Sequence, residues 1–333
     1  MVKAKRFILV KRFVGFPKPT DLKLVEEELP PIKDGEFLAE AIYLSVDPYL
    51  RKKVSSFPVG DTMVGTQVAK IIESKNPKFP VGKHVVGQAG FGWRTHTISN
   101  GELTAEGLNS AVLIDLADLP LSLALGILGM PGYSAYFGFL EMLQPKAGEW
   151  LVISGAAGAV GNVVGQLAKI KGLKVIGIAG SDEKGKWLKK ELGFDHFINY
   201  KTQDVGAELQ RIVPEGVELY FDNVGGDVST AVMNNMKTFG RITSCGSISN
   251  YNDTELKVVP LQHALVSRQL KMRGFQIVSL ANRWNEAFKQ NLEWIQQGKL
   301  KYRETITEGF HNMFNAFIDM LNGRNFGKAI VKV

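Results

Sequence analysis

From residue 149 onward, short apolar runs alternate with stripes of helical spacing. Trp150 to Ser154 reads as a strand. Over Ala159 to Lys171, the residues Val160, Val163, Val164, Leu167 and Ile170 form one apolar helical side. Lys174 to Ala179 is a second strand, Asp182 to Leu192 a helix and His196 to Tyr200 a third strand. Val217 to Asp222 and Arg241 to Cys245 are two more strands, and Arg283 to Gln297 is a further helix. Brief buried strands separated by amphipathic helices predict a parallel, doubly wound sheet with right-handed crossovers.

The first part, to about Leu119, has a different texture. Ala39 to Val46, Val64 to Ser74 and Lys83 to Gly87 read as strands, separated by turn residues such as Asp47-Pro48. A mostly β domain is expected there, with the basic-apolar stretch Lys3 to Arg12 as its first strand. Between Leu121 and Leu143 the spacing turns helical, and Met130-Pro131-Gly132 predicts a break between two helices. The tail, Gly327 to Val333, reads as one more strand, expected to return to the first domain.

Composition narrows the class. Lys and Arg outnumber Asp and Glu by 40 to 33, a net charge of +7 spread along the chain rather than gathered in a block. That argues against a nucleic-acid arm and suits an anionic small molecule. Cys245 is the sole cysteine, so no intramolecular disulfide forms and a reducing compartment is expected. No apolar run approaches the roughly 18 residues of a spanning helix, and the start lacks a signal-peptide core. A cytoplasmic enzyme without membrane attachment is the expectation.

The strongest local motif is Ser154-Gly155-Ala156-Ala157-Gly158-Ala159-Val160-Gly161, between a predicted strand and a predicted helix. Small residues admit a pyrophosphate close to the backbone, and a helix N-terminus offers free N–H groups and partial positive charge. A tight turn without a ligand is the plain alternative. At the end of the second strand an NAD site usually carries Asp or Glu for the ribose 2′-hydroxyl. Here the chain reads Ile178-Ala179-Gly180-Ser181, then Asp182, Glu183 and Lys184. Gly180 and Ser181 leave room for a 2′-phosphate that Lys184 can pair with, so NADPH is preferred over NADH. The competing reading is an ordinary helix start, with Ser181 as N-cap and Lys184 on the surface. Tyr200 and Asn223 follow the third and fourth strands, at the carboxyl edge where ligands of parallel sheets bind. Each also fits a turn or surface role.

These strings, with Val46-Asp47-Pro48-Tyr49-Leu50-Arg51, Gly60-Asp61-Thr62-Met63, Gly129-Met130-Pro131-Gly132, Ala135-Tyr136-Phe137-Gly138, Asn199-Tyr200-Lys201, Phe221 to Gly226, Tyr251-Asn252 and Phe326-Gly327-Lys328, span nearly the whole chain. Together they resemble the prostaglandin reductase 1 group, with its plant alkenal double-bond reductase relatives, of the zinc-independent medium-chain dehydrogenase/reductases. The resemblance implies a GroES-like mostly-β catalytic domain (residues 1–122 and 305–333) and an inserted Rossmann domain (123–304), with an active cleft at their junction. It implies NADPH, a homodimer, and cofactor contacts at Gly158, Ala159, Val160, Gly161, Lys184, Tyr200, Asn223, Cys245, Gly246, Ser247, Ile248, Ser249, Asn250, Tyr251, Phe275, Gln276, Ile277 and Asn325. Two regions depart from the group's pattern. Residues 252–263 lack its proline-rich run, and Gly87 to Arg94 carries extra glycines.

Zinc relatives of this fold use Cys and His ligands, and one cysteine builds neither of their sites in the usual form. His84, His96, His196, His263 and His311 show no ligand-like spacing, and Gly65-Thr66-Gln67 stands where those relatives carry Gly-His-Glu. No metal is expected, which makes alcohol oxidation the harder chemistry. Reduction of an activated alkene needs chiefly orientation and a hydrogen-bond donor at the carbonyl oxygen. Tyr251 is the first candidate donor and Tyr49 the second, though either can be an ordinary aromatic. The expected reaction is NADPH-dependent reduction of the carbon–carbon double bond of enones and enals, such as 15-oxo-prostaglandins and alkenals, with oxidation of leukotriene B4 as a further possibility. The rival readings are an NADPH quinone oxidoreductase and a non-enzymatic NADPH-binding protein.

Overall fold

A computed structural model describes residues 2–102, 110–255 and 261–333. Part of the divergent 252–263 segment, residues 256–260, lies outside the described residues. The chain divides into two compact units, Met1–Leu125 with Glu304–Val333, and Gly126–Arg303.

The first unit opens with β1 (Val2–Leu9) and β2 (Leu22–Leu29), paired antiparallel. There follow β3 (Phe37–Ser45), β4 (Gln67–Ser74), β5 (His84–Gly87), β6 (His96–Ser99) and β7 (Ala111–Ile114), with a short helix α1 (Tyr49–Lys53) after β3. The second unit holds β8 (Trp150–Ser154), β9 (Lys174–Ala179), β10 (His196–Asn199), β11 (Val217–Asp222), β12 (Met236–Ser244) and β13 (Lys271–Gly274). Its helices are α2 (Met130–Phe137), α3 (Gly161–Ile170), α4 (Asp182–Lys190), α5 (Val205–Ile212), α6 (Gly226–Met233), α7 (Leu261–Ser267) and α8 (Trp284–Gln296). The chain then re-enters the first unit with β14 (Glu304–Glu308), α9 (Met313–Leu321) and β15 (Lys328–Lys332).

The tail strand β15 sits between β14, to which it is parallel, and β3, to which it is antiparallel; the sheet continues through β4, β5 and β7, with β6 also on β3. A register irregularity in β3 between Ala41 and Tyr43 breaks strict alternation, and Ala41 and Leu44 are both buried in one cluster with Phe314, Phe317 and Met320 of α9. Trp93 is fully buried between Phe7 and Phe317, both edge-on at 5.9 and 5.8 Å. Its indole explains Gly65: a Cβ there would stand 2.6 Å from Trp93 Cδ1.

The second unit is an all-parallel sheet in the order β10-β9-β8-β11-β12-β13. Order reverses between β8 and β11, the crevice where such sheets bind dinucleotides. Val152, Ile176, Ile178, Ile198, Tyr220 and Ile242 fill one face beneath α5 and α6.

Three details differ from the sequence reading. Met130-Pro131-Gly132 does not separate two helices; Pro131 lies in the first turn of α2, where a missing N–H costs nothing, and only a 3₁₀ turn at Leu121–Leu125 precedes it. After α2 the chain widens into a π turn over Gly138–Leu143. Gly138, at its start, lets the Phe221 and Phe275 rings pack close: a Cβ there would meet them at 2.8–2.9 Å. The fifth strand of the parallel sheet begins at Met236, not Arg241, and bends at Phe239, whose φ is +67°.

Candidate functional site

The turn after β8 begins at Gly155, with φ +60°, a backbone that side chains rarely adopt. A Cβ on Gly161 would lie 2.4 Å from the Gly155 oxygen and 2.8 Å from the Ala156 Cα, so the helix packs directly on the turn. A Cβ on Gly158 would meet only the Gly155 oxygen, at 3.2 Å, which keeps the outer wall of the turn low. Asn162 Nδ2 donates to the Gly158 oxygen at 2.6 Å and keeps the turn closed. Val160 is the N-cap of α3 and no side chain caps that end. Backbone N–H groups at a helix start above such a low turn fit a pyrophosphate.

At the end of β9, Gly180 is again bare: a Cβ there would stand 3.0 Å from the Tyr200 hydroxyl and 3.1 Å from Lys201 Cε. Ser181 Oγ accepts the Lys184 N–H at 3.3 Å, so Ser181 is the N-cap and α4 starts there. Lys184 is nonetheless 9% exposed, not a surface residue. Burial first, and the neighbouring Lys201 second, hold its ammonium below the ordinary lysine range. Asp182, the first acid after the strand, is engaged by Asn199 Nδ2 at 2.8 Å. The chemistry of this corner is therefore two converging ammonium groups and a phenol, a donor set for a phosphate dianion rather than for a ribose hydroxyl. Lys201 was not among the sequence candidates, although its place beside Tyr200 just past a strand was a usable signal.

Asn223 is held at the reversal of strand order. Its N–H donates to Ser154 Oγ at 2.9 Å and its Nδ2 to the Ser154 carbonyl at 2.8 Å. The stretch from Cys245 folds back over it: the Cys245 N–H donates to the Asp222 carbonyl at 2.8 Å, that of Ile248 to Asn223 O and that of Ser249 to Val224 O. Within this loop the Tyr251 hydroxyl accepts the Ser247 N–H at 3.4 Å and lies 3.2 Å from where a Gly246 Cβ would be. The Gly246 position thus has no side chain between the phenol and the β11 loop. The Ser249 hydroxyl donates to the Val224 carbonyl at 2.6 Å, with Asn250 Oδ1 2.9 Å from the same oxygen. Burial raises the Tyr251 pKa, so the phenol stays protonated and able to donate at neutral pH. The Cys245 thiol is pushed up to about 12 by desolvation and by Asp222.

Phe275, Gln276 and Ile277 follow β13, whose Gly274 pairs with Ser244 at the carboxyl edge of the sheet. The Phe275 ring lies against Gly138, and Ile277 opens a 3₁₀ segment whose first carbonyl accepts the Trp284 indole N–H at 2.9 Å. Gln276 offers its carbonyl to the Ser279 hydroxyl. Asn325 and Tyr49 belong to the first unit. Asn325 Nδ2 donates to the Gly327 carbonyl at 2.8 Å. The Tyr49 hydroxyl is buried beside Thr66, and desolvation, followed by the charge of Asp47, holds the phenol far above its usual pKa. Where zinc relatives place His and Glu, Gln67 is fully buried and donates to the Gly92 carbonyl at 3.0 Å. Among the described residues no three His, Cys, Asp or Glu side chains are grouped to hold a metal. None of their helices is long and apolar enough to cross a membrane.

Residues 5–106 match the family described as "N-terminal domain of oxidoreductase", and residues 159–297 the family described as "Zinc-binding dehydrogenase". Prostaglandin reductase 1 of Bos taurus is 50% identical, with all of both chains covered. The 2-alkenal reductase (NADP(+)-dependent) of Nicotiana tabacum is 38% identical over 100% of this chain and 98% of the relative. The crystal structure of CurA in complex with NADPH from Vibrio vulnificus superposes with a TM-score of 0.91 at 40% identity, covering 99% of each chain.

Proposed function

The chain belongs to the prostaglandin reductase 1 group of the zinc-independent medium-chain dehydrogenase/reductases, and on that premise we propose that it reduces the carbon–carbon double bond of α,β-unsaturated ketones and aldehydes with NADPH. The observation that carries this reading is full-length similarity to a prostaglandin reductase, with Lys184 and Lys201 near one another after β9 and Asp182 bonded to Asn199.

The turn Gly155 to Gly161 receives the pyrophosphate, Lys184 and Lys201 with Tyr200 receive the 2′-phosphate, and Asn223 with the 245–251 loop orders the remainder. NADPH, when bound, supplies a hydride for the β-carbon of the substrate. Negative charge then grows on the carbonyl oxygen, a preorganised donor there lowers the barrier, and the α-carbon takes a proton from water to complete the reduction. Tyr251 is that donor: its phenol keeps its proton, and its oxygen is oriented by the Ser247 N–H. Tyr49, a protonated phenol on the other unit, is the second candidate. The substrates that fit the reading best are alkenals and 15-oxo-prostaglandins, which would place the enzyme in lipid metabolism. A cytoplasmic homodimer is the accompanying expectation, checked by sedimentation and by fractionation.

One assay panel tests the reading: NADPH oxidation against an alkenal, a 15-oxo-prostaglandin and a quinone, with metal analysis of the same sample. Turnover of the first two with little for the quinone is expected. Preferred turnover of the quinone, or tight NADPH binding with no turnover of any of the three, would replace it. Tyr251→Phe is expected to lower kcat about a hundredfold, the lower part of the range for a donor of this kind, with NADPH affinity unchanged. Unaltered turnover in stopped-flow traces would remove Tyr251 from the mechanism.

A further inference from the structure

Asp222 closes β11 and is 3% exposed. A buried carboxylate normally has a cationic partner, because taking its charge out of water is costly. No Lys, Arg or His among the described residues forms an ion pair with it. It is held entirely by neutral donors. Oδ1 accepts from Ser154 Oγ at 2.9 Å, Tyr220 OH at 2.8 Å, Val224 N at 3.0 Å and Gly225 N at 2.9 Å. Oδ2 accepts from Ser229 Oγ at 2.8 Å. The Tyr220 phenol is buried and stays protonated, so it acts here as a donor.

These donors come from different places in the sequence. Ser154 is the last residue before the glycine turn, Val224 and Gly225 flank Asn223's loop, and Ser229 lies in the first turn of α6. The Asp222 backbone carbonyl also accepts the N–H groups of Cys245 and Gly246, at 2.8 and 3.2 Å, where the Tyr251 loop begins. Ser154 Oγ extends the chain of bonds by accepting the Asn223 N–H at 2.9 Å. Three segments read above as cofactor-bearing thus meet on one residue that itself faces inward.

We propose that Asp222 is the positioning residue of the NADPH site: its carboxylate locks the entrance of the glycine turn to the Asn223 loop, and its carbonyl docks the 245–251 loop on both. The inference rests on the cofactor reading given above. Hydrogen bonds to a carboxylate are stronger than those between neutral groups, and five donors meet on this one side chain. Without them Asn223 and the turn would still fold but would sample several relative positions, and NADPH would meet a site that must be ordered on binding.

The test compares purified parent, Asp222→Asn, Ser154→Ala and a control, Val213→Ala, which trims the same unit's core away from these loops. NADPH Kd is measured by calorimetry, ligand-free Tm by circular dichroism, and kcat at saturating NADPH with an alkenal. Asn keeps Oδ1 as a neutral acceptor while its amide faces Ser229, whose hydroxyl can turn to accept. Asp222→Asn is expected to weaken NADPH about tenfold, with kcat at saturation within about threefold of the parent. Ser154→Ala, which deletes only the shared hydroxyl, should weaken it about fivefold. Folded Asp222→Asn binding NADPH within twofold of the parent would overturn the proposal. So would Val213→Ala lowering affinity as much at an equal loss of Tm, since the effect would then be general destabilisation. If Asp222→Asn does not fold, Ser154→Ala carries the test, and parent-like affinity there overturns it. A parent that fails to bind NADPH sinks the underlying cofactor reading instead, and this inference with it.

Discussion

Lys184 shows how little a residue's type says about its surroundings. In the sequence it is one lysine in a helix start rich in them, where the phosphate role is preferred but a surface role competes. In the structure it is almost wholly buried beside Lys201, and its ammonium is disfavoured by both desolvation and like charge. A bound phosphate relieves both. Lys184→Ala is therefore expected to weaken NADPH at least tenfold while leaving NADH affinity within about twofold. Equal losses for both cofactors, measured by fluorescence titration, would remove Lys184 from the 2′-phosphate. Cys245 gives a second residue-scale prediction. The thiolate is the reactive form, and a thiol with its pKa near 12 has almost none of it at pH 8. Alkylation of the folded protein by iodoacetamide should run about a thousandfold slower than that of a free thiol of ordinary pKa. A rate within tenfold of glutathione's would contradict the raised pKa. Asp222 was missed from sequence because an acid closing a buried strand has no local signature; only the five donors around it reveal its role.

Elements were legible where their period was complete. Trp150–Ser154, Lys174–Ala179 and Val217–Asp222 run over the residues expected, since each is an apolar run bounded by turn residues. The edge strand β13 reads Lys271-Met272-Arg273-Gly274 and, among the described residues, pairs with β12 alone. Its strand state comes from β12, not from its own pattern. Pro131 was misjudged for a related reason: a proline that interrupts a pattern can equally begin the next helix, and only the fold says which. The glycine turn was legible because its three glycines have separate physical duties. Gly161→Ala tests one of them. The new Cβ would meet turn backbone, which cannot rotate aside, so the turn must shift. NADPH affinity is expected to fall about tenfold or more. Parent-like binding by calorimetry would mean that the turn does not cradle the pyrophosphate.

At the scale of the molecule, the tail is what completes the first unit. Lys328, at the start of β15, is 3% exposed and donates to the carbonyls of Val46 and Ala329 at 2.7 and 2.8 Å. It also pairs with Asp47 at 3.0 Å, and Asp47 in turn accepts from Ser45. Removing one member of such a pair leaves the other charged and buried. Lys328→Met should therefore cost about 3–5 kcal/mol, read as a lower urea midpoint. A loss below about 1 kcal/mol would show that the pair is idle. The sequence by itself determined the fold class, the alternation that makes a parallel sheet, the glycine turn and the preference for a phosphorylated cofactor. Those features are written in local spacing, which short-range sterics and burial translate directly into strands, helices and turns. Tertiary structure alone decided that β15 threads between β14 and β3, that Lys184 and Lys201 converge, and that Asp222 joins three loops. Each of these joins residues that are not neighbours in the chain's local pattern, so nothing in that pattern records which will meet.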